Sequence, residues 1–438
     1  MTAASTPPLA AARAFTWREG WRYGLMGFPL AFVALPLFVV LPNHYARAFG
    51  VPLATLGALL LGARLFDAVI DPLLGRWSDR LYARSLNAVL AWGAVAASLL
   101  GLGFAALFFP PVHDLPALLI WAGLSLLLTY TAFSALSILH QSWGAMLGGD
   151  EHQRSRVVAW REGLGLVGVL VAAISPVALG LPATTALFFI ALTVSWLAWR
   201  AARQPTRSAA HQADGFAAVS LHPPETPSVW LPFSRPAFRA LLAVFMVNGI
   251  ASAVPATLLL FFVQDRLQAP ASTEPLFLGS YFLSAALAIP LWLRAVQHLG
   301  LARAWGVGML LSVAVFVFAA TLGAGDVAAF VLVCALSGVG LGADLAIPGA
   351  LLAGTIQASG DRGRAEGAYF GWWNFATKLN LALAAGIALP VLGALGYMPG
   401  TRDAAALNTL TQAYCLLPCV LKLIAAGLLY SLILRKSP

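Results

Sequence analysis

Charge is what this chain has least of. Only 10% of its 438 residues are Asp, Glu, Lys or Arg, whereas soluble domains carry about 25%. In their place 60% are hydrophobic, and the mean hydropathy is +0.83. A soluble enzyme is excluded on that ground, and an integral membrane protein is implied. Cysteine is nearly absent. Cys334, Cys415 and Cys419 lie in apolar runs without a His or Asp cluster, which reads as small core residues rather than a disulfide or metal site. No Walker A sequence is present, so nothing points to ATP-driven transport. No Ser/His/Asp grouping or metal cluster points to an enzyme, and no cofactor is expected. "GLGLVG" at 163–168 matches the dinucleotide fingerprint, yet no strand precedes it and no acid follows at the required distance. Small residues that let helices approach closely are the better account, as for "GVGLG" at 338–342.

Long apolar runs fill the space that charge leaves. Twelve are of spanning length, from about 20–46 to about 405–434, which predicts an all-α membrane protein. The polar stretch 203–235, rich in Pro, Ser and Ala, reads as a mobile cytoplasmic linker. It divides the chain into a six-helix half at 1–202 and another at 236–438. The opening segment carries Arg13, Arg18 and Arg22 before an apolar run of span length, so it reads as a retained cytoplasmic tail and not a cleaved signal. With both termini inside, 20 of the 26 basic residues fall in cytoplasmic tails and loops, against Arg47, Arg266 and Arg402 outside. The same bias explains the net charge of +9 without nucleic acid. "PLLGRWSDRLYAR" after span 2 and "PLWLRAVQHLGLAR" after span 8 look like parallel internal repeats.

Against this background "ARLFDAVIDPLLGRWSDR" at 63–80 stands out. Arg64, Asp67 and Asp71 are spaced 3 and 4 and share one helix face inside a span. A charge at the bilayer centre costs about 2.5–3.5 kcal/mol on insertion scales, so such residues face a cavity and have partners. Lys378, in "WWNFATKLN" of span 11, lies at a comparable depth. Two carboxylates that take Na⁺ or H⁺, with a lysine competing for them, is one reading; an ion-pair network that locks helices is the other. Polar or aromatic residues expected to line a cavity are Tyr130 and Thr131 in span 4, Asn248 in span 7 near a helix-breaking Pro255, Asp344 in span 10, and Trp372, Trp373 and Asn374 in span 11.

"RLFDAVIDPLLGRWSDR" resembles the helix-2 signature of the glycoside–pentoside–hexuronide:cation symporters, a melibiose-permease-like family of the major facilitator superfamily. "DEHQRSRVVAWR" at 150–161 is similar to that family's basic loop and helix-5 entry, and Lys378 falls where the family keeps a helix-11 lysine. The resemblance covers nearly the whole chain. It implies a major-facilitator fold, cation binding at Asp67, Asp71 and Thr131, coupling through Lys378, and a substrate pocket that includes Arg161 and Ser134; Arg64, on the same face as the acids, is expected to take part in the coupling. "GRWSDR" resembles the superfamily's loop motif, which implies a gate of ion pairs among Arg76, Asp79 and Arg80. Four positions depart from the pattern, one of them Leu30, where a lysine is typical. Ile70 replaces an asparagine, which favours H⁺ over Na⁺; Ala31 and Ser134 replace two sugar-binding aspartates, which removes charge-assisted hydrogen bonds to a sugar.

The expected function is therefore cation-coupled symport of a small organic solute, a sugar or glycoside, by alternating access. Transport or flipping of a lysolipid-like amphipath is the alternative. The expected setting is a bacterial cytoplasmic membrane. The partners are the solute, the coupling ion and membrane lipid, with no nucleic acid, and the protein is expected to act as a monomer.

Overall fold

The computed structural model of the protein describes residues 15–205 and 227–436. Most of the linker, and the tail with Arg13, therefore lie outside the described residues. The rest forms twelve helical columns. We number them α1 (residues 17–48, in consecutive pieces), α2 (Leu53–Arg84), α3 (Leu86–Phe108), α4 (Leu115–Met146), α5 (Glu151–Ala178), α6 (Gly180–Arg200), α7 (Pro236–Phe261), α8 (Glu274–Leu299), α9 (Leu301–Phe316), α10 (Val327–Ala346, continued by Pro348–Ala358), α11 (Glu366–Ala394) and α12 (from Ala404–Thr411 to Leu417–Leu432). Among the described residues nine helices are long and apolar enough to cross a membrane. Lipid offers no partner for backbone N–H and C=O groups, so an apolar run of this length must satisfy them within itself. Helix starts follow capping chemistry. Thr16 and Glu19 form a reciprocal capping box at α1, and Asp150 accepts from the Gln153 N–H at 2.7 Å to open α5.

Pro255 does not break α7, which continues to Phe261 and only then loosens into a π turn, Phe262–Arg266. Helix packing on both sides holds such a proline in place. Large apolar side chains such as Val69, Leu287 and Ile190 are exposed on the outside of the bundle, where lipid would cover them. "GLGLVG" works as a packing stripe, because a Cβ on Gly168 would sit 2.2 Å from the Phe28 carbonyl oxygen of α1.

One buried core fills the first six columns, one lies within the second six, and a third joins the second six to Ile138 and Ala145 of α4 and Ala159 and Leu166 of α5. Across the halves α2 packs along α11, and α5 against α8 and the second part of α10. Hydrogen bonds join the halves at the end that holds the basic loops. Arg362 donates to the Met146 carbonyl at 2.7 Å, and the Leu301 N–H donates to Glu151 at 2.8 Å. Residues 227–235, expected to belong to a mobile linker, are instead docked there. Leu231–Ser234 forms a helical turn, and Arg235 makes a bidentate pair with Asp361, at 2.7 and 2.9 Å.

Candidate functional site

The two carboxylates of α2 and the lysine of α11 converge. Lys378 Nζ lies 2.7 Å from Asp67 Oδ1 and 2.7 Å from Asp71 Oδ2. It also donates to Ser134 Oγ at 2.8 Å, and the Asp67 carbonyl oxygen is 3.2 Å away. Ser134 Oγ in turn donates to Asp67 Oδ1 at 2.8 Å. Sequence periodicity explains how α11 reaches this point. Gly367, Gly371 and Lys378 are spaced so that they share one helix face. The glycines let that face lie on α2, since a Cβ on Gly371 would come 2.6 Å from the Asp71 carbonyl oxygen. Asp71 is fully buried and Asp67 nearly so, so neither carboxylate is compensated by water. The result is an ammonium held by four oxygen-bearing groups that belong to the opposite half. These are the oxygen donors a hard cation takes, or the carboxylates a proton would neutralise.

The neighbours are arranged differently from expectation. Thr131, expected at the carboxylates, makes no hydrogen bond to either of them among the described residues; Ser134, expected in the substrate pocket, occupies that place. The two are three residues apart on neighbouring positions of one helix face, and it is Ser134 whose hydroxyl meets Asp67. Arg64 does not join the lysine but lies by the buried Tyr130 hydroxyl. Arg161 is paired with its neighbour Glu162, which sequence reading passed over. Trp372 donates its indole N–H to the Val229 carbonyl at 2.8 Å and packs on Trp230, so it anchors the end of the linker. Trp373 stacks on Phe245 at 3.8 Å between centroids and is buried. In this structure both tryptophans are packed against neighbouring aromatic side chains. Asn374 lies half-buried on the same helix.

Asn248 and Asp344 belong to a second polar centre, inside the second half. Lys422 of α12 donates to Asp344 Oδ2 at 2.8 Å and to Asn248 Oδ1 at 2.9 Å. Asn248 Nδ2 and Trp305 Nε1 both donate to Asp344 Oδ1, at 3.0 and 2.8 Å. Lys422 is recognisable in sequence as a charge within a span, and Trp305 has no such mark.

The expected gate of ion pairs does not form around Asp79. Its two oxygens instead accept the backbone N–H groups of Gly367 and Ala368, at 2.6 and 2.9 Å. Arg76 and Arg80 make no ion pair with it among the described residues. A helix start has free N–H groups and a positive dipole end, so a carboxylate from the other half caps α11 more closely than an exposed arginine would bind it. Glu366 is buried next to this cap and accepts the Gly363 N–H at 2.6 Å.

Comparisons with known proteins show the family and the fold. A family model described as MFS/sugar transport protein matches residues 22–436. YjmB of Bacillus subtilis strain 168, an uncharacterised symporter, is 23% identical over 446 residues, which cover 95% of this chain and 92% of YjmB. YagG of Escherichia coli strain K12, a proposed glycoside/cation symporter, is 28% identical over 168 residues; the match spans 38% of this chain and 35% of YagG. Among solved structures, a bacterial homologue of the iron transporter ferroportin in its outward-facing state aligns with a TM-score of 0.65 at 19% identity, over 94% of this chain and 99% of that one. The fucose:proton symporter FucP of Escherichia coli aligns with a TM-score of 0.62 at 13% identity, over 94% and 99%. At these identities the two structures show a shared fold.

Proposed function

Because the chain belongs to the MFS/sugar transport protein family, and so is an integral membrane transporter of the major facilitator fold, we propose that it couples uptake of a sugar or glycoside to a cation gradient. The observation that carries this reading is the clasp of Lys378 on Asp67 and Asp71 across the two halves. A charged group that crosses the moving interface is the natural place for coupling. When a proton or Na⁺ neutralises the carboxylates, Lys378 loses its partners and the bond between the halves is released. Cation and solute then favour the same rearrangement, and each strengthens the binding of the other, by about 1–3 kcal/mol in typical cases. The two six-helix halves rock about the mid-membrane site, with twelve spans and both termini in the cytoplasm. In this reading the latch at the basic end is the cytoplasmic gate. The name carried by YagG supports a glycoside or sugar as solute. Ile70 beside Asp71 offers no amide oxygen to a metal ion, which favours H⁺.

Uptake of a panel of sugars and glycosides into proteoliposomes, under an imposed pH or Na⁺ gradient, tests the proposal. Asp67→Asn and Asp71→Asn should each abolish accumulation above equilibrium while solute still binds. Accumulation at the wild-type level in both variants would overturn it.

A further inference from the structure

The second half encloses a cavity that the clasp on Lys378 does not touch. It holds about 190 Å³ and is bounded only by α7, α8, α9, α10 and α12. Most of its wall is apolar and aromatic, with Phe277, Phe316 and Leu341 as examples. One end is formed by Asp344 and Lys422. We propose that this cavity is a separate binding site for a small, uncharged molecule with one ring or short chain and a single hydroxyl.

Three observations fix that chemistry. The first is charge. Asp344 and Lys422 neutralise each other at 2.8 Å, and Asn248 and Trp305 complete the carboxylate's contacts. An ionised ligand would therefore enter a low-dielectric pocket with no opposite charge left to meet it. The second is unused polarity. The Lys422 ammonium has three N–H groups and, among the described residues, spends two, on Asp344 and Asn248. Ser337, also in the wall, has a buried hydroxyl with no hydrogen-bond partner among the described residues. A buried hydroxyl without a partner is costly, and a ligand hydroxyl would satisfy it. The third is size. Apolar cavities of about 150 Å³ accept benzene, so this one accommodates a substituted six-membered ring. Ala256 and Leu278 are exposed at the rim and provide a way in.

The chain carries its own reporters. Of its three cysteines, Cys334 and Cys419 line the cavity, and Cys415 is buried outside that wall. The test measures labelling of each cysteine by methyl methanethiosulfonate, read by peptide mass spectrometry, on the full chain in lipid nanodiscs. The probes are 4-methylphenol, benzoate and benzylammonium, which share a ring and differ in charge. We expect 4-methylphenol to slow labelling of both Cys334 and Cys419, at concentrations at least about tenfold below those the two ions need; a buried charge costs more than that factor. Ser337→Ala should raise the half-protecting concentration of 4-methylphenol about fivefold, the weight of one net hydrogen bond, with no loss of thermal stability. Leu341→Trp, which fills the cavity, should abolish protection. The proposal falls if Cys334 and Cys419 do not react in the free protein, if 4-methylphenol fails to protect them, or if the ions protect equally well. Asp71→Asn, which removes the proposed coupling, should leave protection unchanged, so the two readings stand or fall separately.

Discussion

At Lys378 a single ammonium satisfies two buried carboxylates and a serine hydroxyl, and all three belong to the opposite half. Removing one partner of a buried pair costs about 3–5 kcal/mol, because the other charge remains without compensation. Lys378→Ala should therefore abolish coupled accumulation, while solute exchange down its own gradient persists. Lys378→Arg should restore stability but not full coupling, since a planar fork cannot follow the geometry of a point charge that both carboxylates share. Flux per folded molecule and melting temperature, measured on one preparation, separate coupling from scaffolding. A Lys378→Ala protein that is less stable yet fully coupled would show the lysine to be structural. The charges themselves were legible in sequence because charge in an apolar run is rare. Their hydroxyl partner was not. Thr131 and Ser134 lie within one turn of α4, and sequence alone does not say which of them turns toward α2. Asn248, Asp344 and Lys422 were equally visible as polar residues in spans. Their grouping depends on contacts 78 to 174 residues apart along the chain, which no local pattern reports.

At the level of helices, the crossing of α2 and α11 is governed by a pair of glycines. A Cβ on Gly75 would sit 2.1 Å from the Gly367 carbonyl oxygen, and a Cβ on Gly367 would sit 2.1 Å from that of Gly75. The obstruction is backbone on each side and cannot swing away. Gly75→Val should therefore hold the basic end apart and shift the carrier toward the conformation open there. Labelling of engineered cysteines near residues 80 and 362 should rise several-fold, while solute binding is kept. Unchanged labelling would mean that the helices can separate without opening the gate. The Asp79 cap acts at the same crossing. Replacing an N-cap by Ala costs about 1 kcal/mol, so Asp79→Ala should move the open-to-closed ratio about fivefold in the same direction. Sequence located the helices well, because their apolar runs have span length. It did not reveal the helix that Asp79 caps, 288 residues downstream, nor the π turns that loosen α1, α7 and α12.

For the molecule as a whole, the latch at the basic end carries a proton-sensitive element of its own. Glu366 is buried when the halves meet, and burial pushes its carboxyl up to about 7 despite the Gly363 N–H and Arg362, which act the other way. Asp79 is also pushed up, by burial and then by Glu366, while the N–H groups of Gly367 and Ala368 act the other way. Glu366 Oε2 has no such donor among the described residues, and a proton on Glu366 relieves its repulsion of Asp79. When the gate opens, water restores an ordinary carboxyl value of about 4.3, and the proton is released. The closed state thus binds the proton more tightly. Closure should be weakest above pH 7 and should strengthen as pH falls, by up to about tenfold per unit until roughly pH 4.3. Distances between spin labels placed on the two halves at the basic end, recorded from pH 5.5 to 8.5, would follow this change. Glu366→Gln fixes the neutral form, so it should keep the gate closed and flatten the profile. A profile that survives this substitution would move the sensor elsewhere, to Asp79 or to the carboxylates on Lys378. If Glu366 is the sensor, a gate held near neutral pH works at the upper edge of its titration. Small shifts in pH at that end would then change how long the transporter stays closed.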